Sequence, residues 1–527
     1  MFSAIYLIPC ALLLSLTSWY RSRRARLPFP PGPKMYPIVG NLLDIPSKHQ
    51  WVKYYEWSKK YNSDIIYLSV FGSPIVVLNS YKAANELFSV RSLLYSDRPR
   101  MTMINELLGW GSLMSHLPYG HGWRARRRVF WQEFNPEHSP NHHSKQLWHS
   151  RDLLRRLLEQ PKRFLHHIDY TLAATIISTT YGLDLKPEHD PNIERAEKAL
   201  VQLKEAAISG NFLVDSLPLL KYIPSWMPGA GFKVYAKRVR SDTADMRDTP
   251  YEQGCSRLRE GKGEPSLLSR RLGKGGYDID SHPDAEVIKD VAWVAYAGGA
   301  ETSHLALSTF FAAMLLHPKA QRKGQEELDA YLGLRLPEFE DLPHLPYVRA
   351  IMLEVLRWQA VGPLGKFPVS FPLVVPILKI PPGLAHRVTM DDEYMGYLIP
   401  EGSTVFVNIW ALLRDEEYFP DPDTFSPERF LKDGKINSKL LDPIQAAFGF
   451  GRRICPGRFF AMDSLLMSMA STLLCFDIGK AKDAEGRDIE PDIQYIPGFT
   501  RHVVPFECTI TPRSAEAAKL IRDSELV

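Results

Sequence analysis

The segment Phe448-Gly-Phe-Gly-Arg-Arg-Ile-Cys-Pro-Gly457 decides the fold assignment. It is a glycine-rich loop that presents one cysteine, Cys455, just before a predicted helix that runs from Pro456 to about Phe476. Helix N-terminal N–H groups and neighbouring arginines favour a thiolate over a thiol. Glycines let the backbone approach a flat cofactor closely, and the Arg453 guanidinium can donate to a carboxylate. The alternative interpretation is a helix-entry loop with an incidental free cysteine.

This loop resembles the haem-binding loop of the cytochrome P-450 family, whose pattern is FxxGxRxCxG, at every fixed position. The resemblance implies that Cys455 is the axial iron ligand of a haem b and that Phe448, Arg453 and Gly457 contact the cofactor. A thiolate ligand pushes electron density toward the iron and favours O–O cleavage. The same resemblance implies a mainly α cytochrome P-450 fold with a small β domain.

The second motif is Ala297-Gly-Gly-Ala-Glu-Thr-Ser303, in the middle of a helix predicted from Pro283 to about Leu316. Two adjacent glycines cost a helix roughly 1 kcal/mol each relative to alanine, which makes sense where the helix lies close to a large flat group. Close packing between helices is the alternative. With the cysteine loop downstream, the motif resembles the oxygen-activation motif of the same family. That resemblance implies that Thr302 hydrogen-bonds the oxygen being activated and that Glu301 connects it to solvent.

A third motif resembles the family segments that lock the haem-side loop. Glu354-Val-Leu-Arg357 resembles the ExxR pattern, and Phe425-Ser-Pro-Glu-Arg429-Phe resembles its partner segment. Taken alone, an i,i+3 pair is a common surface salt bridge. The resemblance implies instead that Glu354, Arg357 and Arg429 form a buried structural network.

A fourth motif, Trp123-Arg-Ala-Arg-Arg-Arg128, matches the family pattern WxxxR at Trp123 and Arg127. The match implies that these two residues bind a haem propionate. His386 and Arg387 resemble the family's other propionate contact. The remaining arginines of the motif are expected near the proximal surface, where an acidic flavoprotein docks by charge complementarity. A solvated basic helix face is the alternative.

The rest of the sequence is that of an ordinary globular protein, with 527 residues, 45% of them apolar and 24% charged. A net charge of +4 is too small for a nucleic-acid footprint, so no nucleic-acid partner is expected. The five cysteines are scattered, which indicates neither a disulfide framework nor a zinc site. Helical patterns dominate from about Tyr81 to Leu332, Asp64–Asn79 predicts a β-hairpin, and a β-rich tail is expected to end near Thr511.

The N-terminal residues predict a membrane anchor. Phe2 to Tyr20 is mostly apolar and uncharged, and at about 1.5 Å per residue it spans roughly 28 Å of a hydrocarbon core of about 30 Å. Arginines follow it, so by the positive-inside rule the body of the chain faces the cytosol. We expect residues 1–20 to be a single-pass transmembrane signal anchor in the endoplasmic reticulum membrane, residues 21–33 a basic, proline-rich hinge, and residues 34–527 the catalytic domain. A cleaved or buried segment is the alternative.

Two other segments carry predictions of their own. Apolar residues between Leu217 and Gly229 indicate either a packed surface loop or a second membrane contact. The proline-rich stretch Lys366–Gly383 interrupts the family pattern, and its removal restores the family-like PLGLAHR. Its flanks can be encoded with splice-site-like bases, so we interpret residues 366–383 as a retained intron, expected to form an irregular excursion with few core contacts. A real loop that reshapes the pocket is the alternative.

The tract from Phe212 to Lys237 and the segment Phe448–Phe460 most resemble fungal enzymes of secondary metabolism and xenobiotic oxidation. The four motifs occur in the order of the family. They imply a haem-thiolate monooxygenase that inserts one oxygen atom into a C–H or double bond of a hydrophobic small molecule. Because no flavin or nicotinamide motif is found, electrons are expected from NADPH through a separate cytochrome P-450 reductase, with cytochrome b5 as a second donor. The alternatives are a haem-thiolate isomerase or peroxygenase, against which the pair Glu301–Thr302 argues, and an inactive haem binder caused by the 366–383 insertion.

Overall fold

The computed structural model describes residues 27–46, 48–206, 212–273, 278–364, 385–496 and 500–525. The predicted anchor, residues 1–20, and the predicted insertion, residues 366–383, lie outside these ranges. Among the described residues, no helix is long and apolar enough to cross a membrane. The anchor and the shape of the insertion therefore stay predictions.

Helices make up most of the described chain, as the sequence predicts. The α-helices are α1 (Gln50–Tyr61), α2 (Tyr81–Asn85), α3 (Ser92–Tyr95), α4 (His121–Phe134), α5 (Pro140–Glu159), α6 (Phe164–Tyr181), α7 (Pro191–Ala206), α8 (Leu213–Ser216), α9 (Gly231–Arg259), α10 (Leu267–Leu272), α11 (Ala285–Leu316), α12 (Pro318–Leu332), α13 (Pro346–Trp358), α14 (Ile409–Leu412), α15 (Pro443–Ala447), α16 (Arg458–Cys475) and α17 (Ala515–Asp523). Short 3-10 and π-helical turns connect several of them.

The strands are short and form small sheets. They are β1 (Ile65–Val70), β2 (Ser73–Leu78), β3 (His386–Arg387), β4 (Asp392–Tyr394), β5 (Tyr397–Ile399), β6 (Thr404–Val407), β7 (Leu431–Lys432), β8 (Lys435–Ile436), β9 (Phe476–Lys480), β10 (Tyr495–Ile496), β11 (His502–Val503) and β12 (Cys508–Pro512). The largest described sheet has the order β1-β2-β6-β3, in which only β2 and β6 are parallel. The predicted hairpin is β1–β2, and the predicted β-rich tail ends in β12, after which α17 follows.

The central helix α11 begins two residues later than the sequence predicts. Pro283 was expected in its first turn, but the helix starts at Ala285 with Asp284 at the N-cap. The physical reason lies in His282, whose Nδ1 accepts a hydrogen bond from the Asp284 N–H at 3.1 Å and whose carbonyl accepts one from Ala285 at 3.0 Å. A turn closed by His282 therefore precedes the helix.

Two hydrophobic cores meet along α11. One contains the C-terminal half of the helix, including Leu307 and Phe310, and the other contains the N-terminal half, including Val291 and Trp293. The motif 297–303 lies between these halves. Helix α11 makes its most extensive contacts with α6, whose residues are almost all buried. The motif is therefore held at the middle of the molecule by packing on both sides of it.

The two motif glycines have different surroundings. A Cβ added at Gly299 would lie 3.3 Å from the Ile176 side chain of α6, so this glycine serves close helix packing. A Cβ added at Gly298 would meet nothing within 4 Å. Close packing thus accounts for Gly299, and the open space at Gly298 leaves room for a flat group.

Candidate active site

One internal cavity brings the cysteine loop and the α11 motif together. Its volume is about 480 Å³, within the range of about 300–1,000 Å³ that ligand pockets occupy. Cys455, Phe448 and Gly457 line it, and so do Glu301 and Thr302. The sequence places these residues about 150 positions apart, and the fold joins them.

The cysteine loop is fixed by its backbone. The Cys455 N–H donates to the Phe448 carbonyl at 2.8 Å, which closes the loop on itself. Gly449 and Gly451 have φ angles of 81° and 56°, a region in which side chains other than glycine are strained. A Cβ at Gly451 would also lie 1.8 Å from the carbonyl oxygen of Phe88. The sequence therefore needs glycine at position 451 for both reasons.

Burial dominates the electrostatics of the cysteine. It raises the pKa of the Cys455 thiol, while the Gly457 N–H and the Arg127 guanidinium act in the opposite direction. The helix N–H and the arginines therefore favour the thiolate, as the sequence predicts, but burial outweighs them. A coordinating metal ion deprotonates a thiol outright. The site thus suits a cysteine that becomes a thiolate by ligating a metal ion.

A cluster of buried cations surrounds the same cavity. Burial lowers the pKa of Arg127 and of Arg453 to about 10 and that of Arg98 well below the usual arginine range. Backbone carbonyls accept their hydrogen bonds: Arg127 donates to Ile454 at 2.7 Å, Arg453 to Ser96 at 2.8 Å, and Arg98 to Ala385 at 2.7 Å. The Arg453 guanidinium also lies 4.7 Å from the centre of the Trp123 ring.

The charge balance of the cavity indicates what it accepts. Arg98, Arg127, Arg453 and Lys204 line it as cations and His386 as a neutral ring, whereas Glu301 is the only carboxylate among the described lining residues. His386 is also buried, and burial lowers its pKa well below the usual value. Buried cations are stabilised when a ligand brings opposite charge to them. A flat group with carboxylate substituents, such as haem b with its two propionates, fits this lining and the open space above Gly298.

The acid of the α11 motif has three partners on other elements. Lys204 of α7 forms an ion pair with it, and Thr500 and His502 contact its Oε1 at 3.0 and 3.1 Å. Burial raises the pKa of Glu301, but the His502 hydrogen bond and the Lys204 charge outweigh burial and lower it to about 2. Glu301 is therefore held as a carboxylate by its contacts with Lys204, Thr500 and His502.

The hydroxyl group of Thr302 is hydrogen-bonded to the backbone of its own helix. The Thr302 Oγ1 donates to the Gly298 carbonyl at 2.7 Å, which leaves its lone pairs able to accept a hydrogen bond from a group in the cavity. Thr302 lines the cavity, where its side chain is exposed.

The ExxR segment and its partner form one network. Arg357 and Glu354 are fully buried and joined by two hydrogen bonds of 2.6 and 2.8 Å. Arg429 and the Ser426 N–H donate to the same carboxylate at 3.2 and 2.8 Å. The structure thus brings Glu354, Arg357 and Arg429 together in a buried network, and the alternative of a surface salt bridge is wrong.

Comparison with known proteins decides the family. The family model described as cytochrome P450 matches residues 30–370 and 375–509. The chain belongs to the cytochrome P450 family. It is 41% identical to cytochrome P450 monooxygenase ple1 of Rhodocybe pseudopiperita over 97% of this chain and 94% of that protein. It is 42% identical to cytochrome P450 monooxygenase 98 of Postia placenta, over 94% and 93% of the two chains, and 38% identical to tryptamine 4-monooxygenase of Psilocybe cyanescens, over 95% and 96%.

These relatives confirm the sequence-based assignment to the fungal cytochrome P450 monooxygenases. The enzyme class is an oxidoreductase that incorporates oxygen. The mainly α fold with small sheets is confirmed as well. The match to the family model breaks at residues 371–374, inside the segment that the sequence marks as an insertion.

The cavity of this P450 includes two cations that the motifs did not reveal, Lys204, which pairs with Glu301, and Arg98. Arg387 was predicted at a propionate, but its guanidinium lies 3.3 Å from Asp97, its side chain is 40% exposed, and it is absent from the described lining. Arg98, adjacent to Asp97 in the sequence, lines the cavity instead. Arg98 belongs to no motif, and only its burial distinguishes it.

The basic segment of α4 divides between three environments. Arg127 faces the cavity, and Arg124 and Arg128 are exposed. Arg126 was expected with the latter two near the proximal surface, and this expectation is wrong, because it donates to the fully buried Asp290 of α11 at 2.6–2.8 Å. Helical spacing explains the division, because residues at positions i, i+2 and i+3 project in different directions.

Proposed function

We propose that this P450 uses a haem b held by Cys455 to insert one oxygen atom of dioxygen into a hydrophobic small molecule, by hydroxylation or epoxidation, in fungal secondary metabolism or xenobiotic oxidation. The observation that carries the proposal is the shared cavity. A buried cysteine, a cationic cluster and an acid–alcohol pair all line it. Cys455 would hold the iron of a haem through its Sγ, and the haem would supply the oxygen-activating chemistry.

Binding of the cofactor is the task of the cationic cluster. Arg127, Arg453 and Arg98 each present donors in a fixed fork, which suits carboxylate recognition. Trp123 and His386 complete the group, with the Trp123 ring against Arg453 and the His386 ring stacked 3.9 Å from the Phe88 ring. We assign the propionates to these residues and prefer Arg98 to Arg387, because Arg387 is already paired with Asp97.

The remaining predicted cofactor residues, Phe448 and Gly457, have steric roles. Phe448 lines the cavity beside Cys455 and shields the sulfur from water, while Gly457 leaves room at the start of α16. The Glu354–Arg357–Arg429 network fixes the chain segments 413–426, to whose carbonyls Arg357 also donates. These network residues build the site and do no chemistry.

Proton handling belongs to the α11 motif. Thr302 Oγ1 accepts a hydrogen bond inside the cavity, while its own hydroxyl hydrogen is donated to the Gly298 carbonyl. Glu301 holds its carboxylate at the same wall, where it can take up a proton at Oε1 and release it into the cavity. An acid–alcohol pair of this kind supports monooxygenation over a peroxygenase or isomerase activity.

The substrate class follows from the apolar lining. Met101, Ile104, Leu113, Leu200 and Val294 line the cavity, and the fixed polar groups are few. We propose an aromatic or terpenoid small molecule. The name of the Psilocybe relative, tryptamine 4-monooxygenase, places indole amines on the panel of compounds to test.

Electron supply and location complete the proposal. We propose that NADPH–cytochrome P-450 reductase donates the electrons, with cytochrome b5 as an additional partner, and that the exposed Arg124 and Arg128 contribute to the docking surface. We further propose a single-pass anchor at residues 1–20 in the endoplasmic reticulum membrane, with the catalytic domain in the cytosol. Leu219 and Trp226, each 79% exposed, support a second membrane contact.

The insertion is proposed to be a retained intron. The residues on either side of the segment, Leu364 and Ala385, are buried in the same hydrophobic cluster and line the same cavity. Because Leu364 and Ala385 lie in one cluster, removing the residues between them can leave both in position. The break in the family match at 371–374 supports the same view.

The test is reconstitution of the full-length enzyme with a fungal reductase, NADPH and ¹⁸O-labelled dioxygen, against a panel of aromatic, indole and terpenoid compounds. The expected result is a product that carries one labelled oxygen atom and depends on NADPH. A product that forms with hydrogen peroxide alone at the same rate, or that carries no label, would contradict the proposal.

A further inference from the structure

A chain of polar contacts leads from the cavity wall to a histidine outside it. Glu301 and Thr500 line the cavity, and the Thr500 Oγ1 lies 3.0 Å from Glu301 Oε1. His502 Nε2 lies 3.1 Å from the same carboxylate oxygen and 3.2 Å from Thr500 Oγ1. His502 is 36% exposed and is not part of the described lining. Its exposed part therefore faces away from the cavity.

The three partners of Glu301 differ in their ability to exchange a proton. A lysine ammonium such as that of Lys204 holds its proton at neutral pH, and a threonine hydroxyl such as that of Thr500 does not ionise. Histidine alone changes its charge between about pH 5 and 8. Among these contacts, the one with His502 joins the carboxylate to the residue type whose charge changes most readily near neutral pH.

The protonation state of Glu301 fixes the orientation of this contact. The His502 hydrogen bond and the Lys204 charge hold the pKa of Glu301 at about 2 against the effect of burial. A carboxylate only accepts hydrogen bonds, so His502 Nε2 carries a proton that it donates to Oε1. The other ring nitrogen, Nδ1, is then the atom that receives a proton from solvent.

We propose that His502 supplies Glu301 with the protons that the reaction consumes, an inference that rests on the proposed monooxygenase function. Water protonates Nδ1, the Nε2 proton passes to Glu301 Oε1, and the carboxyl group releases it into the cavity beside Thr302. The neutral ring returns to its Nε2–H tautomer by exchange with water. The overall reaction is RH + O₂ + NADPH + H⁺ → ROH + H₂O + NADP⁺. Two protons are used at the cavity, the one written in this equation and the one released when NADPH is oxidised by the reductase, and both enter by this route.

The neighbouring charges define a matched control. Lys204 pairs with the carboxylate from α7, and His304 of α11, which contacts Asp169 of α6, interacts electrostatically with Glu301, His502 and Lys204. His304 contacts Asp169 at 3.5 Å and Ser308 at 3.4 Å, and it has no described hydrogen bond to Glu301. Burial lowers the pKa of His304. It is thus a nearby histidine that shares the electrostatic field of His502 but lies off the proposed route.

The first experiment needs no substrate. Full-length enzyme with reductase oxidises NADPH either to hydrogen peroxide, by O₂ + NADPH + H⁺ → H₂O₂ + NADP⁺, or to water, by O₂ + 2 NADPH + 2 H⁺ → 2 H₂O + 2 NADP⁺. Per oxygen molecule the water branch consumes four protons and the peroxide branch two, counting those released from NADPH, so a slower supply of protons lowers the water branch more than the peroxide branch. Because a positioned proton donor contributes about 10²–10⁴-fold and bulk water replaces it in part, His502→Gln is expected to lower the water branch about ten-fold. Gln retains an N–H for Glu301 but cannot exchange a proton near neutral pH.

The controls separate this inference from the proposed function. His304→Gln is expected to partition NADPH as the unmodified enzyme does, and both variants are expected to keep the carbon monoxide band of thiolate ligation. An unchanged water branch in His502→Gln with that band intact overturns the role of His502 alone. Absence of the band and of NADPH use in the unmodified enzyme overturns the proposed function, and the inference with it.

A second readout does not depend on turnover. Histidine labelled with ¹³C at Cε1 is followed by NMR in the reduced, carbon monoxide form, and the His502 signal is identified by its loss in His502→Gln. The pH dependence of this signal is expected to change in Glu301→Gln, where the negative partner is gone. A His502 signal with the same pH dependence in both proteins contradicts the proposal.

Discussion

Replacing Arg357 with methionine should destabilise the protein by about 3 kcal/mol. Glu354 accepts four hydrogen bonds, two from Arg357, one from Ser426 and one from Arg429. Arg357→Met removes two of them and leaves a fully buried carboxylate with one charged partner. Loss of one member of a buried pair costs about 3–5 kcal/mol, and because half of the donors remain we expect the lower end. At about 1.4 kcal/mol per factor of ten, the unfolded fraction rises roughly a hundred-fold.

The assay is a urea titration of the full-length enzyme, followed by tryptophan fluorescence and by the carbon monoxide band, together with the haem content of the purified protein. Arg357→Met should lower the urea midpoint and the haem content. The matched control is Arg163→Met, which breaks an exposed pair with Glu188 and should leave the midpoint unchanged. A midpoint for Arg357→Met within error of this control refutes the view that the network holds the haem-side segments in place.

Three further changes have expected outcomes. Thr302→Ala should keep haem and ligand binding but divert electrons to hydrogen peroxide, and unchanged coupling of NADPH to water or product would show a packing role only. Deletion of Met1–Arg26 should move much of the protein from membranes to the soluble fraction with its haem spectrum intact; incomplete release would support contact through Leu217–Met227, and glycosylation of a tag placed after Pro33 would reverse the orientation. Deletion of Lys366–Gly383 should raise haem incorporation, whereas retention of these codons in the mature message together with lower activity of the deletion would show that the segment belongs to the enzyme.

The sequence predicted those parts of the site that lie in contiguous motifs. The loop around Cys455 needs glycine at position 451 because its backbone touches Phe88, and this constraint is visible as a pattern. The same holds for the Glu354–Arg357 pair, whose i,i+3 spacing is local. Such features are encoded by neighbours in the chain, so one sequence suffices to find them.

Contacts between distant segments could not be predicted in this way. Arg98 is one arginine among many until the fold buries it against the carbonyl of Ala385. The three partners of Glu301 come from α7 and from the segment 500–502, about 100 and 200 residues away. Arg126 also has a sequence-distant partner, Asp290. In each case the partner is set by the packing of segments that lie far apart in the chain, which has no local signature.

The start of α11 shows a smaller failure of the same kind. Proline is common in the first turn of a helix, so the sequence predicts a start at Pro283, but the helix starts at Ala285. The His282 ring instead bonds the backbone just after the proline and closes a turn there. A side chain that competes with the helix for a backbone donor decides the boundary.

The most direct test of the central claim is the reduced carbon monoxide difference spectrum of the full-length enzyme and of its Cys455→His variant. The unmodified enzyme should show the Soret band that thiolate ligation produces, since Cys455 is the cavity-lining cysteine of the described chain. The variant should lose that band, and with it NADPH-dependent oxygenation, even if it retains haem. An unmodified enzyme without the band, or a variant that keeps it, would contradict the assignment of Cys455 as the iron ligand.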